Sequence, residues 1–329
     1  MNQIKYSFII PVKIVNDYIR EAVGKILEIK RSDYEILIYP DEANSETWPN
    51  ARQIATGAVG PAAKRSLSIK DSQGEILIFI DDDAYPSPDF LDKLELDFID
   101  QNISAVGGPA LTPPNDSFWQ KVSGAVFLSK LSGGFPERYA SVGKKHFITD
   151  WPSVNLSVRK EAFARVGGFD CAYWPGEDTK LCLDLVEKLK GKILYDPELI
   201  VWHHRRSGLI RHLKQVANYG LHRGYFAKKY PQTSFKFKYF LPSLFVVFVL
   251  LGGIFSFFPG LILNFYVLGW MIYAAALLYS AREIHKYEKN ILIVLNSLYY
   301  IFLTHLVYGA RFIQGFFLTF NLRSKLRKV

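Results

Sequence analysis

The sequence predicts an α/β domain with a mostly parallel central sheet, followed by membrane helices, and three observations carry that reading. Short apolar runs alternate with amphipathic stretches over the first part of the chain, the pattern of strands joined by helical crossovers. Asp81-Asp82-Asp83 follows directly on Ile76-Leu77-Ile78-Phe79-Ile80, which places carboxylates where a parallel strand ends and open α/β sheets bind ligands. From Tyr239 to Ala281 there is no Asp, Glu, Lys, Arg or His, a stretch about twice the ~20 residues a membrane helix needs.

Tyr6 to Val12 is a strand-type run, and Asp17 to Lys30 suits a helix with Ile19, Val23, Ile26 and Leu27 on one face. Glu35 to Tyr39 forms the second strand, ending at Pro40-Asp41-Glu42. Gly60 to Asp71 is the second helix and Glu75 to Ile80 the third strand. In a parallel sheet all three strands end in one region, which gathers Pro11, Asp41 and the aspartate run. Acidic groups converging from two strands make the geometry of a nucleotide site bridged by a divalent cation.

Three crowded carboxylates repel one another, and a bound cation relieves that repulsion. The alternative is a polar turn capping the next helix. Ser87 followed by Pro88 already supplies a helix start, so metal is favoured. Asp82 would point to the opposite face by strand alternation and is left out of the site. Lys64 and Arg65 on the second helix are either solvated charges or phosphate contacts.

The 329 residues are 49% hydrophobic with a formal net charge of +9. The charge is uneven, since no acid occurs between Glu198 and Glu283, while Arg205, Arg206, Arg211, Lys214, Arg223, Lys228, Lys229, Lys236 and Lys238 are interleaved with aromatics. Nucleic acid would explain basic residues with aromatics but not the adjoining apolar hairpin. Anionic lipid headgroups or a lipid-linked phosphate explain both, and nucleic acid is not expected as a partner. The positive-inside rule puts this segment and the domain before it on the cytoplasmic side of a multi-pass membrane protein.

The expected organisation is a catalytic domain at 1–210, a basic amphipathic segment at 211–238, spans at about 239–258, 261–281 and 291–310, and a basic interfacial tail at 311–329. Pro259-Gly260 divides the first two spans. The third carries Asn296 and His305, polar groups that need partners in lipid. Cys171 and Cys182 have no CxxC spacing and read as reduced thiols.

The order Ser7-Phe8-Ile9-Ile10-Pro11-Val12, Asp41, Ala63-Lys64-Arg65 and Gly74 to Asp83 resembles glycosyltransferase family 2, whose fold is called GT-A. Asn155 to Phe163, Val166-Gly167-Gly168-Phe169-Asp170 and Gly176-Glu177-Asp178-Thr179 resemble that family's acceptor-side pattern. The resemblance implies that Asp81 and Asp83 hold a divalent metal, Mn or Mg, and the diphosphate of a nucleotide-sugar donor. It implies that Asp41 contacts the base and that Pro11, Lys64 and Arg65 belong to the donor side. Asp178 matches the base that deprotonates the acceptor, with Asn155 and Glu177 beside it, and His203 matches a histidine that can approach the metal. Pro40-Asp41-Glu42-Ala43 departs from the family's more frequent paired aspartates followed by Gly-Ser. Trp151 and Trp174 line an acceptor groove or belong to the core.

The resulting expectation is a metal-dependent, inverting, membrane-bound glycosyltransferase acting on a membrane-embedded or lipid-linked acceptor. A processive polysaccharide synthase and a catalytically inactive membrane scaffold are the alternatives.

Overall fold

The computed structural model describes residues 3–322 except 134, 171, 174, 256, 258 and 259. It forms two compact units, one built from the chain up to Pro113 together with Ala140–His204, the other from Pro114–Tyr139 and Arg205–Leu322. The first unit opens with β1 (Tyr6–Pro11), α1 (Asp17–Leu27), β2 (Tyr34–Tyr39), β3 (Ala51–Gln53), α2 (Pro61–Ser66) and α3 (Ser68–Asp71). It continues through β4 (Ile76–Phe79), β5 (Ala84–Pro86), α4 (Phe90–Asp97), β6 (Ile103–Gly107) and β7 (Ala110–Leu111). Helices α5 (Phe118–Ala125) and α6 (Lys130–Gly133) belong to the second unit, after which β8 (His146–Ile148), β9 (Leu156–Arg159), α7 (Lys160–Arg165), α8 (Glu177–Glu187), β10 (Lys192–Tyr195) and β11 (Val201–His203) complete the first. The second unit ends with α9 (Leu209–Lys229), α10 (Pro231–Ser234), α11 (Phe237–Phe255), α12 (Leu261–His285) and α13 (Ile291–Ile313).

The main sheet has the order β3-β2-β1-β4-β9-β6-β10-β8. Strands β3, β2, β1 and β4 run parallel, whereas β9 lies antiparallel between β4 and β6. Every residue of β1, β2 and β4 is buried, which is why these strands read as continuous apolar runs rather than alternating ones. The chain leaves β1 for β2 on one side and returns to β4 on the other, and that reversal opens a crevice at the carboxyl ends of the strands. A second sheet, β5-β11-β7, sets β11 antiparallel to β5 with His203 opposite Ala84.

Several local expectations shift. Helix α1 is capped by Asn16, whose side chain accepts from the Ile19 amide at 3.1 Å, and it stops at Leu27. The helix expected over 60–71 breaks at Leu67 into α2 and α3. Ser87-Pro88 does not begin a helix; Ser87 bonds Asp89 at 2.7 Å and α4 starts at Phe90. A single domain over 1–210 is replaced by the two units because Val122, Ala125 and Val126 bury their side chains in one cluster with Val216, Ile293 and Ile301. Trp151 is a core residue, 1% exposed, with its indole nitrogen donating to the Gly108 carbonyl at 2.9 Å.

In the second unit, α12 and the stretch Ile291–Leu318, which adds a π-helical turn to α13, are long and apolar enough to cross a membrane. The stretch Phe237–Gly252 of α11 is a shorter apolar helix. The two polar groups expected to need partners in the third span have them: His305 bonds Tyr273 and the Leu131 carbonyl at 2.9 and 3.0 Å, and Asn296 bonds back to the Leu292 carbonyl at 2.7 Å. The tail expected from 311 begins inside this helix, and Arg323, Lys325, Arg327 and Lys328 lie outside the described residues. Helix α9 packs on α13 backbone to backbone. A Cβ on Gly224 would stand 2.2 Å from the Phe312 carbonyl oxygen, and one on Gly220 would stand 2.6 Å from that of Tyr308, the close approach that small residues four apart permit. Gly224→Leu should therefore force the helices apart at a cost of about 1–3 kcal/mol or more, read as a lower thermal midpoint in detergent; an unchanged midpoint would refute the contact.

Asp97 and Asp196, 5% and 1% exposed, share Lys145 at 2.5 and 3.1 Å. Burial, more than the Asp196 charge, pushes the Asp97 carboxyl up to about 6 despite Lys145. A carboxyl whose folded pKa is raised stabilises the fold most at low pH and loses that contribution as pH rises from about 4 through 6. Asp97→Asn should flatten this part of the stability curve by on the order of 1–3 kcal/mol, measured as thermal midpoints of parent and variant between pH 4 and 7.

Candidate active site

Strands β2, β1 and β4 end at a common edge, which brings Pro11, Asp41 and the aspartate run there. Strand β4 stops at Phe79, so residues 81–83 form a turn beyond it and strand alternation does not govern where Asp82 points. The metal-competent group nonetheless omits Asp82. Among the described residues, Asp81, Asp83 and His203 each offer a ligand atom within 4.8 Å of the others. The antiparallel pairing of β11 with β5 creates this, since it sets His203 beside the residue that follows Asp83 and leaves Nε2 3.2 Å from an Asp83 oxygen. Two carboxylates and an imidazole form an oxygen-rich donor set with one nitrogen, suited to Mn and tolerable for Mg.

Lys64 is 3% exposed and donates to the Val12 carbonyl at 2.6 Å and to the Asp41 carboxylate. It is not a solvated charge; it fastens Asp41 to the end of β1. Arg65, equally buried, bonds Asp81 and reaches Glu177 at 3.2 Å, with its guanidinium 5.6 Å from the Phe169 ring centre. Phe169 is delivered by Gly167 and Gly168, whose φ values of 84° and 79° lie in the left-handed region that side chains avoid. That turn also presents the Phe169 amide to Ser66 at 3.0 Å.

Glu177 and Asp178 open α8, where the helix dipole favours negative charge. Burial first, then the charges of Asp178 and Asp81, raises the Glu177 carboxyl well above the ordinary range, and Arg65 offsets only part. Asp178 is half-buried and accepts from the Thr179 amide at 2.7 Å. Asn155 is 1% exposed and donates both amide hydrogens to the carbonyls of Pro109 and Leu199 at 3.0 and 2.7 Å. Its amide nitrogen is a strut between loops. Trp174 lies outside the described residues.

Some supporting residues carried no signal in the sequence. Glu21 holds the imidazole of His204 at 2.9 Å, with the Tyr18 ring tilted against it 4.9 Å away, and the His204 amide donates to the Asp83 carbonyl at 3.0 Å. Asp150 accepts from the Thr179 hydroxyl at 2.9 Å in the first turn of α8. Only spatial proximity identifies either, because their partners lie far away in the chain.

This arrangement is that of the GT-A fold. A solved mannosyltransferase, PcManGT from Pyrobaculum calidifontis in complex with GDP-Man and Mn²⁺, aligns with a TM-score of 0.62 and 16% identity over 96% of this chain and 88% of that one. Residues 7–166 match the family model described as Glycosyl transferase family 2. Residues 7–166 are accordingly a glycosyltransferase family 2 domain.

Among curated relatives, a pre-mycofactocin glycosyltransferase of Mycobacterium tuberculosis is 28% identical over 53% of this chain, which spans only 36% of that protein. A Methanococcus voltae protein is 23% identical over 84% of this chain and 88% of its own length. It is named dolichyl N-acetyl-alpha-D-glucosaminyl phosphate 3-beta-D-2,3-diacetamido-2,3-dideoxy-beta-D-glucuronosyltransferase.

Removing Arg65 leaves Asp81 and buried Glu177 without their counter-charge. Arg65→Met should destabilise the fold by roughly 3–5 kcal/mol, and adding Glu177→Gln should recover part of that loss. Chemical denaturation of the two variants measures it, and a single variant as stable as the parent would exclude the bridge.

Proposed function

We propose that the protein transfers a glycosyl group from a nucleotide sugar to a lipid-linked or membrane-embedded acceptor, with a divalent cation, Mn or Mg, held by Asp81, Asp83 and His203. The observation that carries the reading is the convergence of those three side chains at the sheet edge that also presents Asp41. The bound cation would neutralise the negative charge that grows on the leaving diphosphate. Arg65, already at Asp81, supplies a fixed positive charge on the same side. Asp41, fastened by Lys64, accepts hydrogen bonds from the nucleobase or ribose, and the backbone at Pro11 forms the floor beneath the nucleotide.

Asp178 is the base. Of the two neighbouring carboxylates, Glu177 is buried against Arg65, which leaves the half-buried Asp178 to take the proton, a separation of roles by environment. The acceptor oxygen attacks the anomeric carbon as its proton passes to Asp178, the bond to the diphosphate breaks, and the configuration inverts.

The apolar surfaces of α12 and α13 and the name of the methanococcal relative support an acceptor anchored in lipid. The basic residues of α9 favour anionic lipids and a catalytic unit on the cytoplasmic side.

Donor hydrolysis and transfer should be measured in detergent over a panel of nucleotide sugars with Mn²⁺ or Mg²⁺. Asp83→Ala should abolish metal-dependent donor binding. Asp178→Asn should keep donor binding and lower turnover by about 10²–10⁴-fold; full turnover in that variant would remove Asp178 as base. Long polymeric products would favour a processive synthase, and donor binding with no turnover an inactive scaffold.

A further inference from the structure

The second unit encloses a cavity of about 320 Å³, at the lower end of the range for ligand sites. None of the described candidate active-site residues lines it. Its wall combines three cationic side chains, Lys130, Arg138 and Lys238, with aromatic ones such as Phe245, Tyr273 and Tyr308.

The wall has a direction along α11. Lys238, Leu241, Pro242 and Phe245 all line the cavity, and the spacing i, i+3, i+4, i+7 sets them on one helix face. The cation occupies the first turn of the helix, and the apolar side chains follow over about 10 Å at 1.5 Å per residue. A ligand that matches this wall is charged at one end and apolar beyond it.

The charged end calls for an anion. Lys238 lies 3.3 Å and Arg138 4.6 Å from the centre of the same Phe135 ring, so two cations gather at one ring. Around Lys238 the like charges of Lys236 and Arg138 outrank the opposing charge of Glu137. A lipid-linked phosphate carries one to two negative charges at neutral pH, according to whether a sugar is esterified to it, and the cations of this wall match either. The volume holds roughly ten water-sized groups, enough for a phosphate and a short length of one chain.

We propose that this cavity binds the phosphate head and first carbons of a single-chain lipid phosphate, the anchoring part of the acceptor. The inference rests on the lipid-linked acceptor reading above. It adds the residues that hold the lipid: Lys130, Arg138 and Lys238 on the phosphate, and the α11 face with Tyr273 and Tyr308 along the chain.

The test uses the full chain in detergent and geranylgeranyl phosphate as probe, with geranylgeraniol, inorganic phosphate and phosphatidylglycerol as comparisons, bound lipid being counted by native mass spectrometry. On the unmodified protein the probe should bind roughly tenfold or more tightly than each comparison. Equal binding of the alcohol, of free phosphate or of the two-chain lipid overturns the proposal without any variant. Lys238→Gln and Arg138→Gln should each weaken the probe by about tenfold while donor binding at the other site shows that the variants are folded; unchanged probe binding in both overturns it. Transfer to a lipid-linked acceptor by a protein that does not retain the probe would overturn this site and leave the acceptor reading standing. Probe binding as expected with transfer only to soluble acceptors would support the site and overturn that reading.

Discussion

A guanidinium that is 4% exposed must meet carboxylates, and Arg65 meets two from distant parts of the chain. Asp81 comes from the turn after β4 and Glu177 from the start of α8, so one side chain ties the donor-side carboxylates to the element that carries the proposed base. The Phe169 ring against the same guanidinium adds the turn before α8. Partners placed this way resist independent movement, because displacing any of them leaves a buried charge unpaired. The neighbouring Lys64 does the corresponding work for Asp41, joining it to the last turn of chain after β1. Two consecutive residues of a short helix thus set the positions of two aspartates that follow β2 and β4, the parallel strands on either side of β1.

The parts of this arrangement legible in sequence are those encoded by local pattern. Buried parallel strands require unbroken apolar runs, so β1, β2 and β4 are visible, and the carboxylates at their ends can be assigned to one edge from the order of residues alone. Gly167-Gly168 is legible as a motif, and its reason is the pair of left-handed φ values. What stays hidden is set by long-range pairing. β9 inserts antiparallel between β4 and β6, and β11 leaves the main sheet for a second one; neither choice leaves a trace in local periodicity. The same holds for Asn155, whose polar side chain suggests a ligand contact and whose burial makes it a strut.

The segment 114–139 shows the limit most plainly. It lies between strands of the first unit in sequence, yet its apolar side chains are buried among α9, α12 and α13. Its polar ones are accounted for there too: Ser123 and Thr304 bracket the His212 imidazole at 2.8 and 2.9 Å, and Ser129 bonds Ser280 and Glu283 at 2.9 and 3.0 Å. Burial pushes the His212 imidazole down to about 4, so it joins these helices as a neutral hydrogen-bonding group. Where helices face lipid, apolar contact between them gains little, and buried polar bridges together with glycine crossings supply the specificity instead.

These two ways of holding structure together correspond to two kinds of task. In the first unit, charge is concentrated and paired, as the proposed diphosphate site requires: fixed positive and negative groups do not reorganise when a leaving group develops charge. In the second, the polar contacts just described are made between neutral groups or through a carboxylate held by a hydroxyl and a backbone amide, and cations gather at the cavity between α6, α9, α11 and α13. The concentration of unlike chemistry there, three cationic side chains against an aromatic wall, is costly in an apolar bundle unless something amphipathic shares it. The composition of that wall is therefore the strongest physical reason to regard the helices as more than an anchor.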